Sequence, residues 1–69
     1  MNAYFFRCEE HRIKVLSERR WDAETRASKS VNRYPGELTL MGVDRPGETE
    51  PSFRLWGGED PMLYQEVAR

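Results

Sequence analysis

Apolar and polar positions alternate with a period of two near the start of the chain and then change to a helical period. Ala3-Tyr4-Phe5-Phe6-Arg7-Cys8 and His11-Arg12-Ile13-Lys14-Val15-Leu16 are runs rich in aromatic and β-branched residues, parted by Glu9-Glu10. Such a pattern predicts a β-hairpin. Glu-Glu is poor chemistry for a two-residue type I′ turn, which needs positive φ, so a four-residue loop from Cys8 to His11 fits equally well. Either loop sets Arg7 opposite Arg12. Further on, Ala23, Ala27, Val31 and Tyr34 fall at i, i+4, i+8 and i+11, a narrow stripe of mostly small residues. The predicted helix runs roughly from Glu18 to Arg33. Ser17 is its expected N-cap, Leu16 and Trp21 its hydrophobic staple, and Tyr34-Pro35-Gly36 its stop.

Alternation then returns. Glu37 to Val43 reads as a third strand with Leu38 and Leu40 on one face, and Asp44 to Pro51 as a polar loop and candidate recognition segment. Ser52-Phe53-Arg54-Leu55-Trp56 reads as a fourth strand ended by Gly57-Gly58. In the tail, Asp60-Pro61 makes an N-cap and N1 pair, and Leu63 with Val67 has helical spacing, so a short C-terminal helix is the first reading. A strand pairing back through the Gly57–Pro61 turn is the second. The expected fold is α+β: one small domain over residues 1–69, with an antiparallel sheet of about four strands in ββαββ order. One main helix packs on one face, giving two layers.

With 69 residues, the chain is near the lower size limit for a lone core, and so short a domain buries only about 60% of its unfolded surface. A homodimer that covers more apolar surface is a natural remedy. No apolar run approaches the roughly 18 residues of a membrane span. The start of the chain lacks the basic and long apolar regions of a signal peptide. A single cysteine, Cys8, excludes an internal disulfide and fits a reducing compartment. These features together predict a cytoplasmic protein. The net charge of −1 hides a polarity: residues 1–35 carry eight Lys/Arg and five Asp/Glu, residues 36–69 three and seven. That distribution favours an oriented electrostatic contact over general affinity for nucleic acid, although neighbouring strands also balance such charges internally.

The inventory for catalysis is thin. His11 is the only histidine, so a serine triad or a two-histidine zinc site has one candidate at most. Cys8 and His11 can face each other across the hairpin, but a small buried thiol beside a turn histidine explains the pair as well. No second Cys/His pair completes a zinc site, and Gly57-Gly58 lacks the lysine and helix of a phosphate loop. The expectation is a protein without catalysis, cofactor or metal.

The hairpin's faces are more informative. Alternation puts Tyr4, Phe6, Cys8, Ile13 and Val15 on one side, matching the helix stripe. The other side carries Phe5, Arg7, Arg12 and Lys14, and Arg54 and Trp56 join it if Phe53 and Leu55 point to the core. Arg7 opposite Arg12 is a like-charge pair that destabilises unless something negative lies nearby. Phe5, Arg7, Arg12, Lys14, Arg54 and Trp56 are therefore the candidate contact residues. As a protein interface, the face has the aromatic and arginine content of a hot spot, and its partner is a host protein or a second copy of the chain. The alternative is a nucleic-acid surface with Phe5 and Trp56 stacking on bases. A pI of about 5.8 argues against it. A solvated face balanced by Glu37 or the acidic loop accounts for the same residues.

The order of hairpin, Trp21-Asp22-Ala23-Glu24-Thr25-Arg26-Ala27 helix, Tyr34-Pro35-Gly36 stop and strand resembles small phage and mobile-element accessory proteins of the anti-CRISPR type. It is a likeness of architecture over most of the chain and carries over no functional residue. It implies a non-enzymatic inhibitor that binds a host protein complex, sometimes at a surface meant for nucleic acid.

Overall fold

The hairpin forms in the expected register. In the computed structural model, which describes residues 1–48, 51–57 and the backbone of 64–67, β1 (Asn2–Cys8) pairs antiparallel with β2 (His11–Ser17). Arg7 lies opposite Arg12 and Cys8 opposite His11, so the loop is the two-residue Glu9-Glu10. Glu9 takes φ 54°, the left-handed region that costs a side chain about 1–2 kcal/mol. Glu9→Gly removes that strain at some cost in chain entropy. We expect it to raise stability by roughly 0.5–1 kcal/mol in urea denaturation, and an unchanged midpoint would show the turn to be unstrained.

The main helix, α1 (Arg20–Val31), is shorter at both ends than its pattern predicts. Ser17 is not its N-cap; Arg19 holds that position without a side-chain cap hydrogen bond. Instead Ser17 ends β2, buried, and its hydroxyl donates to Asp22 Oδ2 at 2.7 Å while accepting the Arg19 amide at 3.2 Å. Arg26 closes the group: its Nε and Nη2 lie 3.1 and 3.0 Å from the same Asp22 oxygen, and Nη2 also donates to the Leu16 carbonyl. This cluster ties the end of β2 to the first two turns of α1. The staple does not form either, since Trp21 is 63% exposed.

Asn32, rather than the Pro-Gly pair, stops the helix. It adopts φ 55°, ψ 49°, its amide donates to the Lys29 carbonyl, and the Arg33 amide donates to the Ser28 carbonyl. Those two bonds define a Schellman ending, which Asn tolerates better than most side chains. Pro35–Glu37 then forms a 3-10 turn, closed by the Glu37 carboxylate accepting the Tyr34 amide at 2.8 Å. Because the helix has already ended, Tyr34 leaves the core stripe and is 80% exposed.

Ala23 and Ala27 are fully buried against Tyr4, Phe6, Ile13 and Val15, with Val31, Leu38 and Leu40 packed around them. The small residues let α1 lie close over β2, as the stripe predicts. β3 (Thr39–Asp44) pairs antiparallel with β1 on its other side. Phe5 faces Gly42 but Phe6 faces Leu40, so Met41 is an extra residue in a bulge. The bulge resets the alternation and returns Leu40 to the α1 face.

The antiparallel part of the sheet is thus three strands, β2-β1-β3. The fourth strand expected at Ser52–Trp56 is instead a helix, α2 (Pro51–Trp56). In the tail, the helix expected first gives way to β4 (Tyr64–Val67), which lies parallel to β2 in the order β3-β1-β2-β4. The chain order is therefore ββαβαβ. Asp60-Pro61, Leu63, Gly58 and the end of the acidic loop at 49–50 lie outside the described residues. In place of two layers there are three, with α1 on one face of the sheet and α2 on the other.

α2 carries signals that the alternation hides. Proline at the first helical position and glycine just past the last are the usual punctuation of a helix, and Pro51 and Gly57 occupy those places. Gly57 adopts φ 92°, and its amide donates to the Arg54 carbonyl at 3.0 Å. With a period of 3.6, Phe53 and Trp56 share the inward side while Leu55, expected in the core, is 71% exposed.

Candidate functional site

α2 covers the face that the sequence singles out as open. Phe5 and Trp56 are 1% and 0% exposed, and with Phe53 they form an aromatic cluster with ring centroids 5.1–6.2 Å apart. The Trp56 indole N–H donates to the Phe6 carbonyl at 2.8 Å, at the bulge where the β1–β3 ladder is interrupted. Neither aromatic side chain can meet a base or a partner. They are a second core, and the expectation that they form a contact surface is corrected on that ground.

The four cations fare differently. Arg12 is half-buried and turns its guanidinium over the end of α2, where Nη1 lies 3.3 Å from the Gly57 carbonyl oxygen. This explains how Arg12 tolerates Arg7 across the hairpin: its charge goes to a helix C-terminus, where carbonyl dipoles favour it. Lys14 is half-buried, and both it and Arg54 take part in interactions of their own. Arg7 and Arg54 are exposed. The sheet therefore brings Phe5, Arg7, Arg12 and Lys14 to one side, as predicted. What remains at the surface there is a rim of charge without its aromatic centre.

Cys8 lies opposite His11 in the hairpin, with the thiol 4% exposed and the histidine at the surface. Among the described residues no group of three or more His, Cys, Asp or Glu side chains is placed to hold a metal ion. No helix among them is long and apolar enough to cross a membrane.

The large exposed aromatics lie at the two ends of α1 instead. Trp21 stands on its first turn beside a shallow depression lined by Ser17, Glu18, Arg19 and Asp22. Tyr34 stands beyond its last turn, lining a groove of roughly 330 Å³ with Ser28, Lys29, Asn32, Arg33 and Glu37. On a helical wheel Trp21 and Thr25 point away from Ala23 and Ala27, and both are exposed, whereas Ser28 is buried and Asn32 lies past the last helical residue. At 1.5 Å per residue, Trp21 and Asn32 are about 16 Å apart along the axis. Arg20 pairs with Glu24 at 2.8 Å and Arg26 with Asp22, whereas Lys29 and Arg33 form no ion pair among the described residues. Sequence reasoning misses this surface because it spends Trp21 on the staple and Tyr34 on the core. The missed signal is that an aromatic at Trp21 falls on the side of the helix opposite the alanine stripe.

No family model matches the chain, and no curated protein and no solved structure matches it.

Proposed function

We propose that the chain is a non-enzymatic, cytoplasmic binding protein that acts by protein–protein contact, with the outward side of α1 as its working surface. The observation that carries this reading is the exposure of Trp21 and Tyr34, at 63% and 80%, in a domain with few large apolar residues to spare. Tryptophan, tyrosine and arginine dominate interface hot spots because they add rigid area and a polar handle at once. Lys29 and Arg33 stand between and beside the two aromatics, so the surface joins apolar anchors to charge. In its narrowest form the role is that of a phage-type inhibitor of a host complex, which the architectural resemblance to anti-CRISPR proteins suggests. The nucleic-acid reading loses its support, because it rested on Phe5 and Trp56 as stacking platforms.

Comparative affinity capture from host extract tests the reading. Truncating a hot-spot residue costs about 2 kcal/mol or more, so Trp21→Ala with Tyr34→Ala is expected to reduce capture at least about tenfold. Both side chains are exposed, and the fold should persist by circular dichroism. Should that variant capture as wild type does while Arg7→Glu with Arg54→Glu fails, the working surface is the charged rim beside α2, and the α1 reading is wrong.

A further inference from the structure

Resting on the α1 reading, we propose that the groove at the end of α1 receives a carboxylate-rich segment of the partner protein. Within α1 the arginines are already engaged, Arg20 by Glu24 and Arg26 by Asp22. The cations of the groove are not. Lys29 is exposed and makes no hydrogen bond or ion pair among the described residues, and Arg33 gives one nitrogen to the Asn32 carbonyl at 3.4 Å. The exposed side-chain amide of Asn32 has no hydrogen-bond partner among the described residues either. Ser28 turns its hydroxyl inward to the Thr25 carbonyl, and the one carboxylate in the lining, Glu37, accepts the Tyr34 amide at 2.8 Å. Donors and positive charge therefore exceed acceptors, and the complement of such a groove is a negatively charged acceptor.

The geometry favours an extended acidic segment over a single compact anion. The groove lies at the C-terminal end of a helix, where carbonyl dipoles repel concentrated negative charge, and Glu37 repels it further. A run of side-chain carboxylates instead sets one charge against each cation and keeps clear of Glu37. Its apolar parts then lie on the ring of Tyr34, which is 80% exposed. The walls are already set, because the Schellman bonds at Asn32 and Arg33 and the bond from Tyr34 to Glu37 fix the backbone there. Binding thus orders little main chain. With a net charge of −1, the protein as a whole does not attract acidic peptides, so the attraction is local to the groove.

Following the backbone amides by NMR while hexaglutamate is added at low ionic strength tests the proposal. Amides between Lys29 and Glu37 are expected to shift and saturate with a Kd on the order of 1 mM, as befits a few exposed ion pairs. Hexalysine should leave them in place. Lys29→Glu with Arg33→Glu should weaken binding at least about tenfold, since two attractions become repulsions. Lys29→Gln with Arg33→Gln, a milder change at the same exposed positions, should weaken it about three- to tenfold. Arg7→Glu with Arg45→Glu makes the same change in net charge at exposed positions outside the groove and should bind as wild type does. A wild-type protein without saturable shifts overturns the proposal, as does an equal loss in the Arg7 and Arg45 variant. Inorganic phosphate that produces the same shifts at the same concentration also overturns it, by showing a site for compact anions. The proposal and the α1 reading fail separately. Capture from host extract that needs Trp21 and Tyr34 but ignores the Lys29 and Arg33 reversal refutes the acidic segment alone. Hexaglutamate bound in the groove, with capture indifferent to Trp21 and Tyr34, refutes the α1 reading alone.

Discussion

Trp56→Ala is expected to unfold the domain or bring it to the edge of unfolding. Removing a fully buried tryptophan costs about 3–5 kcal/mol. A single core in a chain of this size supplies no more than roughly 3–5 kcal/mol of net stability. Trp56 is 0% exposed and touches both Phe5 and Phe53, so its loss opens the whole second core rather than one contact. The indole also satisfies the Phe6 carbonyl, which truncation would leave buried without that donor. Trp56→Phe separates the two effects: it keeps much of the apolar area and loses only the N–H, for about 1–3 kcal/mol. Urea denaturation followed by circular dichroism measures both. A Trp56→Ala protein within 1 kcal/mol of wild type would show that α2 contributes little to the folded state.

Gly42→Val is expected to cost about 1–3 kcal/mol, the usual penalty of overpacking. A side chain on Gly42 would place its Cβ 2.5 Å from Ser52 Oγ and 2.8 Å from Ser52 Cβ. The second contact matters more, because a Cβ cannot swing away without moving α2 itself. The bulge at Met41 is what turns Gly42 towards α2, so one irregularity in β3 serves both faces of the sheet. Ser52→Gly removes both clashing atoms but costs helix propensity of its own, up to about 1 kcal/mol. The double variant should therefore be less destabilised than the sum of the singles by more than about 1 kcal/mol, a coupling expected only for side chains in contact. Strict additivity would mean that α2 does not dock on Gly42.

How far the sequence carries the fold depends on the size of each element. Seven-residue strands with a strong apolar face leave one register open, and Arg7 opposite Arg12 is legible from the alternation alone. The α1 core stripe is legible because three residues at helical spacing agree with one another. α2 is too short for its periodicity to decide: in Ser-Phe-Arg-Leu-Trp, apolar residues fit a period of two through Phe53 and Leu55, and of three through Phe53 and Trp56. Only Pro51 and Gly57 point to the helix. The candidate surface inherits that ambiguity. Arg54 is at the surface under either period, while Trp56 passes from a contact residue to the centre of a core.

The sequence by itself determined the hairpin, its register, the α1 stripe and the third strand, because each follows from local periodicity and the physics of one buried face. Tertiary structure alone decided what lies on the sheet's second face. A six-residue helix is not stable in isolation; α2 holds its form through contacts with Phe5, Gly42 and Arg12, which stand far away along the chain. Those contacts bury the aromatics that looked available for binding. They leave Trp21 and Tyr34, at the ends of α1, as the large aromatics that the described residues present to solvent.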